Sequence, residues 1–284
     1  MKNKSLIFSP FFTIFVLLSS VGWGVEPSVS SPPVTSTEIS ELTGTTEAPQ
    51  MLLPSEGDPH SSKVSGETTP SYRKYSSVYV DGPYIAMTFD DGPSPTLTPR
   101  LLDILKEKGV KATFFVIGQN VVHSPEIVAR ATAEGHEIGN HSWSHPSLTK
   151  ISEQRVQEEV QKTSDAISEA TGKKPTLLRP PYGAINLRTG KMIEEKDGLT
   201  IILWSVDPLD WKSPGANVVA QRLIAGAKPG AITLSHDIKP GTIQAIPEVI
   251  DALKAKGYKF VTVSELIALE SKAPISADKG TKTK

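Results

Sequence analysis

An α/β fold, a (β/α) barrel of about seven units in a single domain, is what this 284-residue chain predicts. Three observations carry that expectation. Short apolar runs alternate with longer amphipathic ones. Residues that open and close helices bracket the amphipathic runs. The glycine-rich fingerprint of a dinucleotide-binding sheet is missing, which leaves an open doubly wound sheet as the runner-up.

Taken in order, residues 85–89 read as a buried strand. Thr98 as N-cap and Pro99 in the first helical position open a helix that Gly109 closes. Residues 112–117 form the next strand. Ser124 and Pro125 repeat the opening signal, Gly135 ends that helix, and 136–138 is a short strand. A long helix over 152–171 stops at Gly172. Further strands are predicted at 176–179, 200–205, 231–235 and 258–262, and further helices at 187–196, 216–227, 244–256 and 264–270. Strands alternating with helices imply parallel pairing, and in a parallel barrel the C-terminal strand ends meet on one face, where active sites are built.

Around this domain, predicted at 78–270, the composition changes. Lys2 and Lys4 precede an apolar run over 6–21 that ends in Gly22-Trp23-Gly24, the pattern of a secretory signal peptide over 1–24. An uncleaved membrane anchor is the alternative, although the run is short for a span and contains Pro10. Residues 25–77, rich in Ser, Thr, Pro and Glu, read as a disordered linker, and the Lys-rich 271–284 as a disordered tail. The expected location is therefore secreted or in the cell envelope. With a net charge of −1 the chain lacks the concentrated basic face that nucleic acid demands. It has no cysteine, so disulfides and thiolate metal sites are excluded, and any metal must be held by His and carboxylates.

Five short segments at or just after predicted strand ends carry chemistry. Asp90 and Asp91 sit before Gly92-Pro93, either as ordinary turn residues or as two carboxylates brought to one cavity. His141 and His145 are spaced so that a helical turn would put both imidazoles on one face to ligate one ion; the alternative is a pair of surface histidines. Arg179 can clamp a carboxylate in two places or make a structural ion pair. Asp210 and Trp211 form an acid beside an aromatic, where Trp211 reads as core or as the wall of a sugar pocket. His236 closes an apolar run as a proton donor or as a hydrogen-bonded structural His. Two His and one Asp make a three-ligand set with open positions, for which zinc is the first guess and cobalt or nickel are alternatives.

Read in order as TFDDG (88–92), HSWSH (141–145), RPPY (179–182), DPLDW (207–211) and LSH (234–236), these segments resemble the five motifs of the polysaccharide deacetylase family, the NodB-homology domain of carbohydrate esterase family 4. The resemblance covers roughly 78–267. It implies a distorted (β/α) barrel of seven to eight units and a divalent metal held by Asp91, His141 and His145. It implies Asp90 as general base paired with Arg179, and His236 as general acid oriented by Asp210. It also implies that Tyr182 offers its backbone N–H to the oxyanion, with Trp211 and Leu234 flanking the acetyl methyl or the sugar ring. Ser235 stands where the family pattern leads one to expect an apolar residue, and Asp237 competes with Asp210 as a partner for His236.

The activity so implied is removal of N-acetyl groups from N-acetylglucosamine in peptidoglycan or a chitin-like polysaccharide, with no nucleic acid and no protein partner. The alternatives are an O-acetyl xylan esterase of the same family, a catalytically silent glycan-binding module, and an amidase for small molecules.

Overall fold

Period-two alternation along short strands sets what lies inside the barrel. The structure, a computed structural model, describes residues 71–271. The predicted leader, the linker as far as residue 70 and the tail beyond 271 lie outside the described residues. The elements are β1 (Lys74–Tyr75), β2 (Tyr84–Ala86), β3 (Thr88–Asp90), α1 (Thr98–Glu107), β4 (Thr113–Val116), α2 (Gly118–His123), α3 (Pro125–Ala133), β5 (Glu137–Asn140), α4 (Glu153–Thr171), β6 (Leu177–Leu178), α5 (Leu187–Asp197), β7 (Thr200–Ile202), α6 (Ala216–Gly226), α7 (Pro240–Ala255), β8 (Lys259–Val261) and α8 (Val263–Ala268).

Six strands pair in parallel in the order β1-β7-β6-β5-β4-β3, and β2 pairs in parallel with β8. Residues 231–236 close the ring. Ala86 N–H donates to Ala231 O at 3.0 Å, Thr233 N–H to Ala86 O at 3.0 Å, Leu234 N–H to Val206 O at 2.8 Å and Asp90 N–H to Ser235 O at 2.9 Å. The barrel is thus present but distorted, and the described residues all fall within one compact unit.

Several local expectations change. The segment 231–235 forms no regular ladder, because it bonds in turn to residues after β7 and to β2 and β3. The strand predicted at 85–89 is split at Met87, where its neighbour changes from β8 to β4. Lys74 and Tyr75, placed by the sequence in the linker, add a strand beside β7. Thr98 is not the N-cap of α1; that position is Leu97, and the Thr98 hydroxyl is taken by Asp237 at 2.5 Å. Helix α7 begins at Pro240, four residues before the predicted start, with proline in its first turn. The short α2 was not predicted at all.

Inward positions form a column. Ala86, Phe115, Leu177, Ile202 and Ile232 pack together inside the ring. Ile85, Met87, Phe89, Phe114 and Val116 face the opposite way and pack against the helices, each such burial contributing about 1.5–3 kcal/mol. Gly139 on β5 makes room for the column, since a Cβ there would lie 2.6 Å from the Phe115 ring. The guanidinium of Arg179 sits 4.2 Å from the centre of that ring. Phe115 therefore forms the floor of the site.

At the opposite end of the strands, buried His136 accepts the Ala112 N–H at its Nδ1, 3.1 Å away, which fixes it neutral. Burial, helped by the charge of Lys111, pushes its pKa from 6.5 to about 4. Unfolded chains take up a proton in that window that the folded protein refuses. Stability tied to His136 is therefore full above about pH 6.5 and falls as pH drops toward 4. In H136Q, the loss of unfolding free energy between about pH 7 and pH 4.5 is expected to shrink by roughly 2 kcal/mol in denaturant titrations. An unchanged pH slope would mean that His136 is not held neutral.

Candidate active site

Asp90 ends β3 on the inward face. Asp91 follows with φ 76°, a left-handed backbone that turns its carboxylate to the same centre. The predicted convergence of the two acids thus rests on one unusual peptide. The two histidines converge differently from the expectation. Residues 141–145 form no helical turn. Ser142 (φ 65°) and His145 (φ 60°) are left-handed, and a tight loop brings the rings within 4.8 Å of each other. Of the six non-glycine residues with positive φ among the described residues, four lie in these loops and at Tyr182, and Leu209 adjoins Asp210. Backbone strain gathers at the site, as expected where geometry is fixed for function.

The donor set is compact. Asp91 Oδ1 lies 3.5 Å from His141 Nε2 and 3.4 Å from His145 Nε2. The three ligand atoms fall within 4.8 Å of one another. His141 Nδ1 faces the Arg179 carbonyl at 2.7 Å, so it carries the proton and leaves the Nε2 lone pair directed at Asp91. Burial, with the nearby His141, pulls the pKa of His145 down, which favours its neutral ring. Asp91 Oδ1 is buried without a hydrogen-bond partner. An orphaned carboxylate oxygen facing imidazole nitrogens is what a divalent cation satisfies, and the residues fit one. Burial alone would raise the pKa of Asp91, but His141, His236 and His145 outweigh it and hold the carboxyl below its usual range.

Two paired groups flank this centre. Arg179 is fully buried; its Nη1 donates to Asp90 Oδ1 at 2.7 Å and to Thr88 Oγ1 at 2.6 Å, and its Nη2 to Leu203 O at 3.1 Å. The clamp on Asp90 is single, not double, because the rest of the fork holds other partners. Asp90 Oδ2, 3.8 Å from His141 Nε2, remains open to the centre. On the other side, His236 Nδ1 and Asp210 Oδ1 are 2.7 Å apart, while His236 Nε2 lies 4.0 Å from Asp91 Oδ2. Asp210 also accepts the His236 N–H at 2.7 Å and the Thr242 hydroxyl at 2.6 Å. Burial works against the charged imidazole, but the hydrogen bond and charge of Asp210 overrule it, with Asp90 and Asp91 adding, and the His236 pKa stands at about 9.

The remaining residues divide. Tyr182 is 70% exposed, its ring edge-on to His145 with centroids 4.7 Å apart. Trp211 is 36% exposed with Lys212 Nζ 4.8 Å over its ring, so the core reading fails. Leu234 is buried. Ser235 is buried too, its hydroxyl donating to Leu234 O at 2.7 Å, which settles a polar group where an apolar one was expected. Asp237 does not compete for His236; it pairs with Thr98 and packs on Gly92. Burial drives its pKa to about 7. Thr88, Thr242 and Glu159 were not anticipated. Thr88 shares the inward register of Asp90, and Glu159 is an acid set among the buried residues Val156, Val160 and Thr163 of α4. Those patterns were the available signals.

Residues 78–202 match the polysaccharide deacetylase family. A peptidoglycan-N-acetylglucosamine deacetylase of Listeria monocytogenes is 50% identical over 182 residues, covering 64% of this chain and 38% of the relative. The chain therefore spans well under half the length of that relative. A peptidoglycan-N-acetylglucosamine deacetylase of Bacillus cereus is 39% identical over 201 residues, covering 68% of this chain and 72% of its own. The crystal structure of the Bc1960 peptidoglycan N-acetylglucosamine deacetylase superposes with a TM-score of 0.67 at 37% identity, covering 72% of this chain and 96% of that one. On these matches the chain belongs to the polysaccharide deacetylase family.

A Cβ on Gly92 would overlap the Asp237 carboxylate. Gly92→Ala is expected to cost about 1–3 kcal/mol in unfolding free energy. Adding Asp237→Ala should recover part of that loss. A fully stable single variant would show that the turn is free to move.

Proposed function

We propose that this protein hydrolyses the N-acetyl group of N-acetylglucosamine residues in peptidoglycan, using a divalent metal, with zinc first among the candidates. The observation that carries the reading is the Asp91, His141 and His145 donor set flanked by two ion pairs, Asp90 with Arg179 and His236 with Asp210. The names of the Listeria and Bacillus relatives support peptidoglycan as the polymer. The basic and then apolar start of the chain supports action outside the membrane.

A cation held by these three side chains would supply Lewis acidity to the acetyl carbonyl and to the attacking water. Asp90 Oδ2 accepts a proton from that water as its oxygen bonds to the acetyl carbon; Arg179 keeps the other oxygen occupied. The Tyr182 N–H donates to the developing oxyanion, its peptide fixed by the left-handed φ of 61°. An amine leaves only once protonated. His236 Nε2 supplies that proton as the carbon–nitrogen bond breaks, and Asp210 holds the ring and stabilises its charge. The products are acetate and a free amine on the sugar. Leu234 and Trp211 line the acetyl and sugar sides.

Acetate release should therefore appear with peptidoglycan, stop with chelator and return on adding zinc, cobalt or nickel. Acetate from acetylated xylan alone would overturn the N-deacetylase reading, and glycan binding without acetate under any metal would indicate a silent module. Asp90→Asn should lower kcat at least a hundredfold, on the order of a lost general base, while binding zinc one to one. Full activity in that variant would remove Asp90 from its role.

Rate should fall as His236 loses its proton. A cation beside Asp91 cancels the contributions of Asp90 and Asp91, so the alkaline limb of the kcat profile should lie below 9. Asp210→Asn is expected to move that limb down by about 1–3 pH units. An unmoved limb would show that another group supplies the proton.

A further inference from the structure

The loop that carries both histidines makes little regular structure of its own, yet its polar groups are nearly all tied. Asn140 Oδ1 accepts the Ser142 N–H at 2.8 Å, and Ser142 Oγ accepts the His145 N–H at 3.1 Å. Gly118 N–H donates to Ser142 O at 3.0 Å and Gln119 N–H to Trp143 O at 3.1 Å. The remaining corner is Ser144, next to His145. It is held by a charged side chain from another element. Glu159 Oε2 accepts the Ser144 N–H at 2.7 Å and Glu159 Oε1 the Ser144 hydroxyl at 2.8 Å.

Glu159 is an unusual residue for its place. It lies on the buried face of α4, its side chain has no solvent exposure, and its ion-pair partner is Arg155, one turn earlier, at 2.8 Å. A buried carboxylate costs several kcal/mol unless every lone pair is used. A Leu or Met here would serve packing alone. Both oxygens of Glu159 are instead spent on the one residue between Trp143 and His145. His145 itself has a left-handed φ, a conformation that a free loop would relax.

We infer that Glu159 is the positioning residue of the metal-binding loop: it clamps Ser144 so that His145 Nε2 stays in register with His141 and Asp91. The inference rests on the metal site proposed above. Glu159 touches no ligand atom and takes no part in proton transfer. Its contribution is to hold the left-handed turn before a cation arrives, so that the ordering is not charged against binding. Arg155 completes the clamp by compensating the buried charge from the solvent side.

The test is zinc binding to metal-free protein, read by competition with a chromogenic chelator, together with the visible spectrum of the cobalt form. Wild type must bind one zinc; if it does not, the metal-site reading fails, and this proposal with it. Given wild-type binding, Glu159→Gln is expected to raise the zinc Kd about tenfold or more, as loss of a partner that orients metal ligands does. The cobalt spectrum should change, and kcat should recover toward wild type at high zinc. Glu158→Gln removes another Arg155 partner, at 3.1 Å, without touching the loop, and should leave the Kd unchanged. A purely structural Glu159 would instead lower the melting temperature with zinc Kd and cobalt spectrum unaltered, and that result overturns the proposal. If Glu159→Gln does not fold, Ser144→Ala decides alone. It removes one of the two bonds from the loop side and should weaken zinc binding severalfold, and an unchanged Kd there overturns the proposal equally.

Discussion

The whole arrangement depends on one buried guanidinium. Arg179 is the largest fully buried side chain among the described residues. A cation sealed from water is tolerated only where anions and carbonyls surround it. Here Asp90, Thr88 and the carbonyls of Ile202 and Leu203 do so, with the Phe115 ring beneath. Those partners come from three parts of the ring: Asp90 and Thr88 from β3, Phe115 from β4, and Ile202 and Leu203 from the end of β7. The carbonyl of Arg179 meanwhile fixes the tautomer of His141. One residue thus links three strands at one end of the barrel, keeps one carboxylate oxygen of Asp90 occupied and orients the His141 ring toward the centre.

Around that hub the fold gives two ionisable groups, Asp90 and His236, separate partners. Asp90 and His236 are neighbours across the backbone beside Asp91. Arg179 Nη1 donates to Asp90 Oδ1 at 2.7 Å on one side. Asp210, held by the His236 N–H and by Thr242, stabilises the protonated form of His236 on the other. Asp90 and His236 each have their own counter-charge, Arg179 and Asp210, and each counter-charge is buried. In the proposed reaction that pairing leaves one group to receive a proton and the other to give one.

The sequence made much of this legible, because chemistry was concentrated in short stretches at strand ends. Asp90, Asp91, His141, His145, Arg179, Asp210 and His236 all arrive at one centre, as the parallel-barrel reading required. Where the reading missed, the cause was a contact distant in sequence. Thr98 caps nothing because it already lies inside the helix, where its hydroxyl donates to Asp237, far along the chain, and accepts the Ser94 N–H. Arg179 gives Asp90 only one bond because carbonyls after β7 claim the rest. Trp211 stays at the surface because Asp210 turns inward to His236. Glu159 escaped notice because it sits in an ordinary long helix, and its meaning comes only from the loop packed on it.

By itself, then, the chain determined which residue types are present, their alternation and their order: apolar runs long enough for strands, carboxylates and imidazoles at their ends, no cysteine to offer another metal chemistry. These follow from local propensity and period, which act over a few residues. Tertiary structure alone decided the distances that make a site. It set the left-handed turns at Asp91 and His145, the partner of each ionisable group, and the hydrogen bonds of Glu159 to Ser144 and of Thr88 to Arg179. Those depend on contacts between segments many residues apart, and on burial, which raises the energy of every unpaired charge until a partner is found.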